Sequence, residues 1–176
     1  MTIRDMTRDE VGLVWSIDRS EIVDNVYYHR DGQLVLESEH YDMKGWPEGE
    51  AKAYGPRLLD CFDRGGTFYG AFEDGSLIGA AVLDSRFIGR KGDQLQLKFL
   101  HVGRSHRGTG LGRRLFDLAK ERAKELGARR LYISATPSQN TVEFYLHLGC
   151  RVTDEVDSEL FEMEPDDIHL EYTIRD

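Results

Sequence analysis

Arg107-Gly108-Thr109-Gly110-Leu111-Gly112 decides how the rest of this chain reads. Three glycines at every second position remove side chains where a backbone must take unusual dihedrals or approach a ligand closely. Just upstream, Gln94 to Val102 carries a strand-like alternation, with Leu95, Leu97 and Phe99 set against Gln96, Lys98 and Leu100. Just downstream, Leu111, Leu115, Ala119 and Leu126 form a helical stripe closed by Gly127. The glycines therefore lie where a strand hands over to a helix. The first N–H groups of such a helix have no intrahelical partner, and its dipole makes that end electropositive. Phosphate is favoured there. Arg113 and Arg114 fall in the first helical turn, where an exposed cation is unfavourable by ~0.3–1 kcal/mol. A bound pyrophosphate reverses that sign. A glycine-rich turn with solvated arginines is the competing reading of the segment on its own.

Two other phosphate motifs fail. A P-loop needs Lys after its last glycine, and Arg113 follows Gly112. A dinucleotide fingerprint needs Gly-x-Gly-x-x-Gly after an early strand, whereas this strand is late.

Outward from this centre the pattern is mixed. Thr2 to Met6 reads as a strand, and Thr7 with Glu10 resembles a capping box opening a helix with Val11, Val14 and Trp15. Glu21 to Tyr41, turning at Arg30-Asp31-Gly32-Gln33, predicts a hairpin. Pro47 to Arg64 predicts a helix whose continuity Gly55-Pro56 threatens. Thr67–Glu73 and Ser76–Leu83 flank an Asp74-Gly75 hairpin turn. Arg130–Ala135 predicts a strand, Ser138–Leu148 a helix, and Arg151–Val156 and Ile168–Ile174 the last strands. The helical crossover between the strands at 94–102 and 130–135 predicts a parallel pair. No repeat or low-complexity linker divides the 176 residues, so one domain, 1–176, is expected.

The bulk numbers exclude some classes. Hydrophobic residues are 40% and charged residues 31%, as in an ordinary globular protein. A net charge of −9 disfavours general binding to nucleic acid or an anionic membrane. No apolar run approaches the ~20 residues of a membrane span. The first residues lack a signal-peptide layout, and Cys61 and Cys150 stand far apart without metal spacing. Reduced thiols, a cytoplasmic location and no metal site are the expectations. The charge is uneven. Arg104 to Arg114 holds four arginines and no acid, Asp18 to Glu50 nets −6, and Asp154 to Glu171 holds nine acids and no Lys or Arg.

A second motif lies downstream. Leu100-His101-Val102 followed by Arg107-Gly108-Thr109-Gly110-Leu111-Gly112 resembles the Arg/Gln-x-x-Gly-x-Gly/Ala signature of the GNAT superfamily of N-acetyltransferases. Asn140-Thr141-Val142-Glu143-Phe144-Tyr145-Leu146-His147-Leu148-Gly149-Cys150 is similar to the family's Asn-x4-Phe-Tyr-x-x-x-Gly-Phe segment, with Cys150 in place of the usual aromatic. The specific match covers about residues 94–152, and no motif covers 17–64.

The resemblance implies a fold and a set of roles. The fold is α/β (α+β): a mostly antiparallel sheet with a central parallel pair splayed for acyl-CoA, and helices on both faces. Acetyl-CoA is the implied acyl donor. Backbone amides from Arg107 through Gly108, Thr109, Gly110, Leu111 and Gly112 to Arg113 would hold the pyrophosphate. Leu100, His101 and Val102 would pair their backbone with the pantetheine arm, in the manner of an added strand. An N–H there could polarise the thioester carbonyl. Asn140 would contact the pantetheine arm, and Tyr145 would protonate the leaving thiolate. Simple core packing of Phe144-Tyr145, and a cap or turn role for Asn140, are the structural alternatives.

The acceptor half reads less sharply. Where some family members carry a Glu, this chain has Gln96, which cannot be a base. Lys98 and His101 lie near, and a water relay or an acid from 18–50 is equally tenable. The acidic tracts flank the acceptor side in this family, and with Glu21, Asp24 and Tyr28 they predict a small cationic amine: a polyamine, an aminoglycoside-like antibiotic or similar. A solvated acidic surface is the competing reading. Protein lysines or N-termini are the alternative acceptors, and a non-catalytic acyl-CoA-binding module is the alternative class. The hairpin at 21–41 serves either as a pocket cover or as a homodimer contact.

Overall fold

A computed structural model describes residues 1–176. Seven strands form one sheet in the order β1-β4-β5-β6-β7-β9-β8. They are β1 (Thr2–Asp5), β4 (Thr67–Glu73), β5 (Ser76–Leu83), β6 (Gln94–Val102), β7 (Arg130–Ala135), β8 (Arg151–Val152) and β9 (Ile168–Thr173). Every neighbouring pair is antiparallel except β6 and β7. A separate hairpin pairs β2 (Glu21–Arg30) with β3 (Gln33–Met43). Asp31 and Gly32, both with positive φ, make its two-residue turn. The hairpin is anchored through the Tyr27 N–H, which donates to Pro137 O at 2.8 Å.

The helices pack on both faces. α2 (Leu111–Glu125) and α3 (Gln139–Leu148) cover one face, where Leu115, Phe116, Ala119, Val142 and Tyr145 meet Leu95, Leu97, Leu131 and Ile133. α1 (Glu50–Asp63) and a 3-10 segment, Arg8–Ser16, cover the other through Val11, Val14, Leu58 and Cys61. Pro56 lies inside α1 without ending it. The segment after Thr7 winds as 3-10 rather than α, and the Thr7 N–H donates to the Glu10 carboxylate at 2.9 Å. No helix is long and apolar enough to cross a membrane.

Two features shape the middle of the sheet. β6 and β7 pair only over Gln94–Gln96 and Arg130–Tyr132, then part. Their joined end is pinned by Arg130, which bridges Asp93 at 2.9 Å, Glu155 at 3.0 Å and the buried Glu171 at 3.0 Å. The second feature is a bulge. Val82 faces Phe99 while Leu83 faces Leu97, so Lys98 is an extra residue in β6. The bulge corrects the simple alternation expected for this strand. Leu95 and Leu97 face α2, but Phe99 joins the opposite core, and Leu100 and Val102 turn back toward α2. His101 therefore shares a face with Phe99, their rings 4.6 Å apart.

The final strand region is also corrected. β8 is only Arg151–Val152, and a short helix α4 (Ser158–Met163) occupies part of the acidic connection. Asp157 caps it by accepting from the Leu160 N–H at 3.0 Å.

Candidate active site

The gap between β6 and β7 opens a cavity of about 670 Å³. Of the residues expected to hold the donor, Leu100, His101, Val102, Arg107, Gly108, Gly110, Gly112 and Asn140 line it, and so does Tyr145. Thr109, Leu111 and Arg113 are not on its wall. Thr109 secures the turn, its hydroxyl donating to His106 O at 2.6 Å, and the Leu111 side chain is buried in the core. The main chain of this segment is the relevant chemistry. The backbone N–H groups of Gly108 through Arg113 donate to no partner within the chain. Gly108 and Gly110 hold left-handed dihedrals, φ 75 and φ 87, which a side chain would strain. A run of free amides at a helix start suits an anion.

The arginines divide their work. Arg107 turns inward, donating to the carbonyls of Val102 at 3.1 Å, Ser20 at 2.9 Å and Asp18 at 3.2 Å. It clamps the end of β6 to the segment leading into β2, so its side chain braces the loop whose amides are free. Arg113 and Arg114 are exposed. The ion pairs on either side, His106–Glu73 and Lys120–Asp117, involve none of the four arginines. Arg104 and Arg107 border the cavity, and no carboxylate forms an ion pair with either of them.

Alternation along β6 orients its amides. The Gly103 N–H donates to Ile78 O at 2.8 Å, toward β5. In an antiparallel ladder alternate residues repeat that direction. The N–H groups of Leu100 and Val102 therefore face the gap. Tyr145 stands across it on α3. Its ring packs against Phe144 and Phe116, and burial raises its phenol well above the ordinary value, with the Asp167 carboxylate adding to the rise. Its hydroxyl takes no partner in the chain and opens on the cavity. Cys150, the departure from the family pattern, is buried in the same cluster.

A second cavity of about 280 Å³ lies on the other face of β6. Arg19, His101 and Thr136 line both cavities, so the two meet at the splayed strand ends. Its aromatic walls are Trp15, Trp46, Tyr54 and Phe99; its carboxylates are Glu50, Glu164 and Asp167. Trp46 and His101 sit ring to ring at 4.8 Å, and the Arg19 guanidinium lies 4.9 Å over Trp46. Burial pushes His101 down to about 3, helped by Arg19 and Arg107. Burial and then Glu164 push Asp167 up to about 7. Glu164 is raised too, by burial and Glu50.

The expected acceptor residues divide. Glu21 borders the first cavity and accepts from Asn140 Nδ2 at 3.2 Å. Asp24 and Tyr28 line neither of the two cavities. Asp24 pairs with His40 at 2.8 Å, and the Tyr28 hydroxyl donates to Glu39 along the hairpin. Arg19, Glu50, Glu164 and Asp167 were not singled out from the sequence. Glu164 and Asp167 belong to the acidic tract, but only the fold separates them from its solvated members.

The sequence profile of the Acetyltransferase (GNAT) family matches residues 33–150. The chain belongs to the GNAT family of acetyltransferases. It is an acyltransferase that uses acetyl-CoA as acyl donor. No curated protein matches its sequence significantly. Among solved structures it is similar to nourseothricin acetyltransferase, at 20% identity and TM-score 0.71 over 99% of this chain and 98% of that one. It is also similar to a Bacillus anthracis str. Ames protein assigned as a streptothricin acetyltransferase, in complex with acetyl coenzyme A (19%, TM-score 0.70, 99% and 98%). A third is the PaiA N-acetyltransferase of Thermoplasma acidophilum with coenzyme A (18%, TM-score 0.64, 98% of each chain). At these identities the likeness speaks for the fold.

Proposed function

We propose that the protein acetylates a primary amine of a small cationic molecule. The observation that carries this reading is the meeting of two chemically opposite cavities at His101 and Thr136. One offers free amides at a helix start, with Arg104 and Arg107 beside them, which suit a pyrophosphate. The other offers three carboxylates among aromatic rings, which suit an ammonium group. The names of the two antibiotic acetyltransferases with similar folds support an acceptor of this class.

The residues divide the work as follows. Amides 108–113 hold the donor's pyrophosphate. The N–H groups of Leu100 and Val102 bind the pantetheine arm and polarise the thioester carbonyl. Asn140 adds a polar contact at the arm. The amine attacks the carbonyl carbon directly, the C–N bond forms and the C–S bond breaks. Tyr145, neutral because burial holds its proton, delivers that proton to the leaving sulfur. The second cavity, about 280 Å³ and lined also by Trp46, Pro47, Leu160 and Met163, favours a compact acceptor over a folded protein surface.

The test is incubation with acetyl-CoA and a panel of polyamines, streptothricin-type and aminoglycoside antibiotics, amino acids and peptides, followed by CoA release. Turnover is expected with small cationic amines. Tight acetyl-CoA binding without turnover of any amine would overturn the proposal.

A further inference from the structure

An amine arrives at neutral pH as an ammonium ion and must lose a proton before it can attack. The wall of the acceptor cavity limits what can take it. Gln96 is not basic. Lys98 is itself a cation, 3.5 Å from Asp84. His101 is a neutral ring held between Trp46 and Phe99, in a place where an imidazolium is strongly disfavoured. The carboxylates remain. Glu50 comes from α1, Glu164 from the residue after α4, and Asp167 from the residue before β9. Asp167 is the more enclosed of the last two, Glu164 being exposed. Its main-chain N–H donates to Glu164 O at 3.2 Å, which holds the turn and keeps the two carboxylates as neighbours. No hydrogen bond or ion pair within the chain engages the Asp167 carboxylate, and its oxygens open on the cavity.

We propose that Asp167 is the general base that takes the proton from the acceptor ammonium. The inference rests on the acetyl-transfer reading and deepens it. Nitrogen loses two protons in passing from ammonium to amide. One goes to the Asp167 carboxylate and then to solvent. The other balances the proton that Tyr145 gives to sulfur, so the phenol is restored.

The groups facing Asp167 set its basicity. Glu164 and Asp166 flank it on its own turn, Glu50 and Tyr54 face it from α1, and Arg19 comes from the segment before β2. Lys98 and His101 face the cavity from β6, and Tyr145 senses the carboxylate from α3. Burial above all, and then Glu164 against the opposing Arg19, brings the carboxyl up to about 7. A base poised near the working pH is the effective one.

The sign follows. Asp167 must be ionised to act, so kcat/KM rises with pH through about 7. Replacing Asp167 with Asn should lower kcat by ~10²–10⁴-fold, remove that limb of the pH profile and leave the KM for acetyl-CoA unchanged. Glu164→Gln should keep the limb and move it to lower pH, because one of the charges raising it is gone. A second readout needs no substrate. A carboxyl raised in the folded state favours folding below its unfolded value of ~3.9, and that contribution is lost as pH rises through about 7. Asp167→Asn should therefore melt several degrees above the wild type at pH 8, with the difference shrinking toward pH 4. Retention of both the rate and the limb in Asp167→Asn, in an enzyme that does turn over amines, overturns the proposal. So does a melting difference that ignores pH. If the wild type acetylates no amine, it is the acetyl-transfer reading that fails, and the melting curves still report whether Asp167 is a raised, uncompensated carboxyl.

Discussion

The Tyr145 hydroxyl is a polar atom without a partner, set at the edge of an apolar cluster. Folding gains nothing from it that a phenyl ring would not supply. Tyr145→Phe should therefore leave the melting temperature within about a degree while lowering kcat by ~10²-fold, since loss of a positioned acid typically costs that much. Steady-state kinetics beside a thermal melt separate the two. Gly112 makes a complementary case. A Cβ there would lie 3.2 Å from Cε2 and Cζ of Phe144 and 3.8 Å from Val102. Its φ is not left-handed, so alanine suits the helical backbone, and by propensity alone would stabilise by up to ~1 kcal/mol. Phe144 must yield by a few tenths of an ångström, and it lines the donor cavity. Gly112→Ala should fold normally and raise the KM for acetyl-CoA several-fold. These positions were legible in the sequence because main-chain chemistry depends on where glycines fall along the chain. Arg107 was legible as a cation, but its contact with three carbonyls depends on where residues 18–20 fold back. Asp167 was hidden for a related reason: nine acids look alike in sequence, and only enclosure beside Arg19 and Glu164 makes one of them a base.

At the scale of elements, the larger cavity exists because β6 and β7 are joined at one end and parted at the other. The joined end depends on Arg130, whose guanidinium ties the turn before β6, the segment after β8 and strand β9 to β7. Glu171, on β9, is 1% exposed and keeps only Arg151 at 3.1 Å if Arg130 is removed. Breaking a buried pair leaves a charge that the interior cannot solvate. Arg130→Ala should cost about 3–5 kcal/mol, read as a lower midpoint in urea denaturation. The strand order itself was well marked in the sequence. β4, β5, β6 and β7 begin and end where turn residues and alternation place them. The bulge at Lys98 was not marked, because an extra residue leaves no trace in a single strand; it appears only against the register of β5. α4 was missed because a one-and-a-half-turn helix with one buried residue, Leu160, has no stripe to read. The bulge matters most for the proposed function, since it turns His101 toward the second cavity and Leu100 and Val102 toward α2.

Across the whole molecule the charge is sorted by task. The chain carries −9, yet its donor side presents four arginines within eleven residues. The acidic residues from 154 to 171 partly face solvent and partly wall the acceptor cavity, so their field reaches beyond the pocket. Under the proposed function, a polycationic acceptor would be drawn by that field from a distance and held by the carboxylates inside. Steering over exposed charge is screened beyond a Debye length, ~10 Å at 0.1 M salt and ~3 Å at 1 M. Contacts inside the cavity are screened less. Raising salt from 0.05 to 0.5 M should therefore lower kcat/KM for a polyamine several-fold, mainly through KM, with a smaller fall for a monoamine of similar size. The donor side should respond as well, since its arginines and free amides bind an anion; the KM for acetyl-CoA should rise over the same range. Measuring both constants in one salt series separates the two fields. A kcat/KM for the polyamine that is flat with salt would mean that the acidic tract is only a solvated surface, and that recognition lies wholly with Glu50, Glu164 and Asp167.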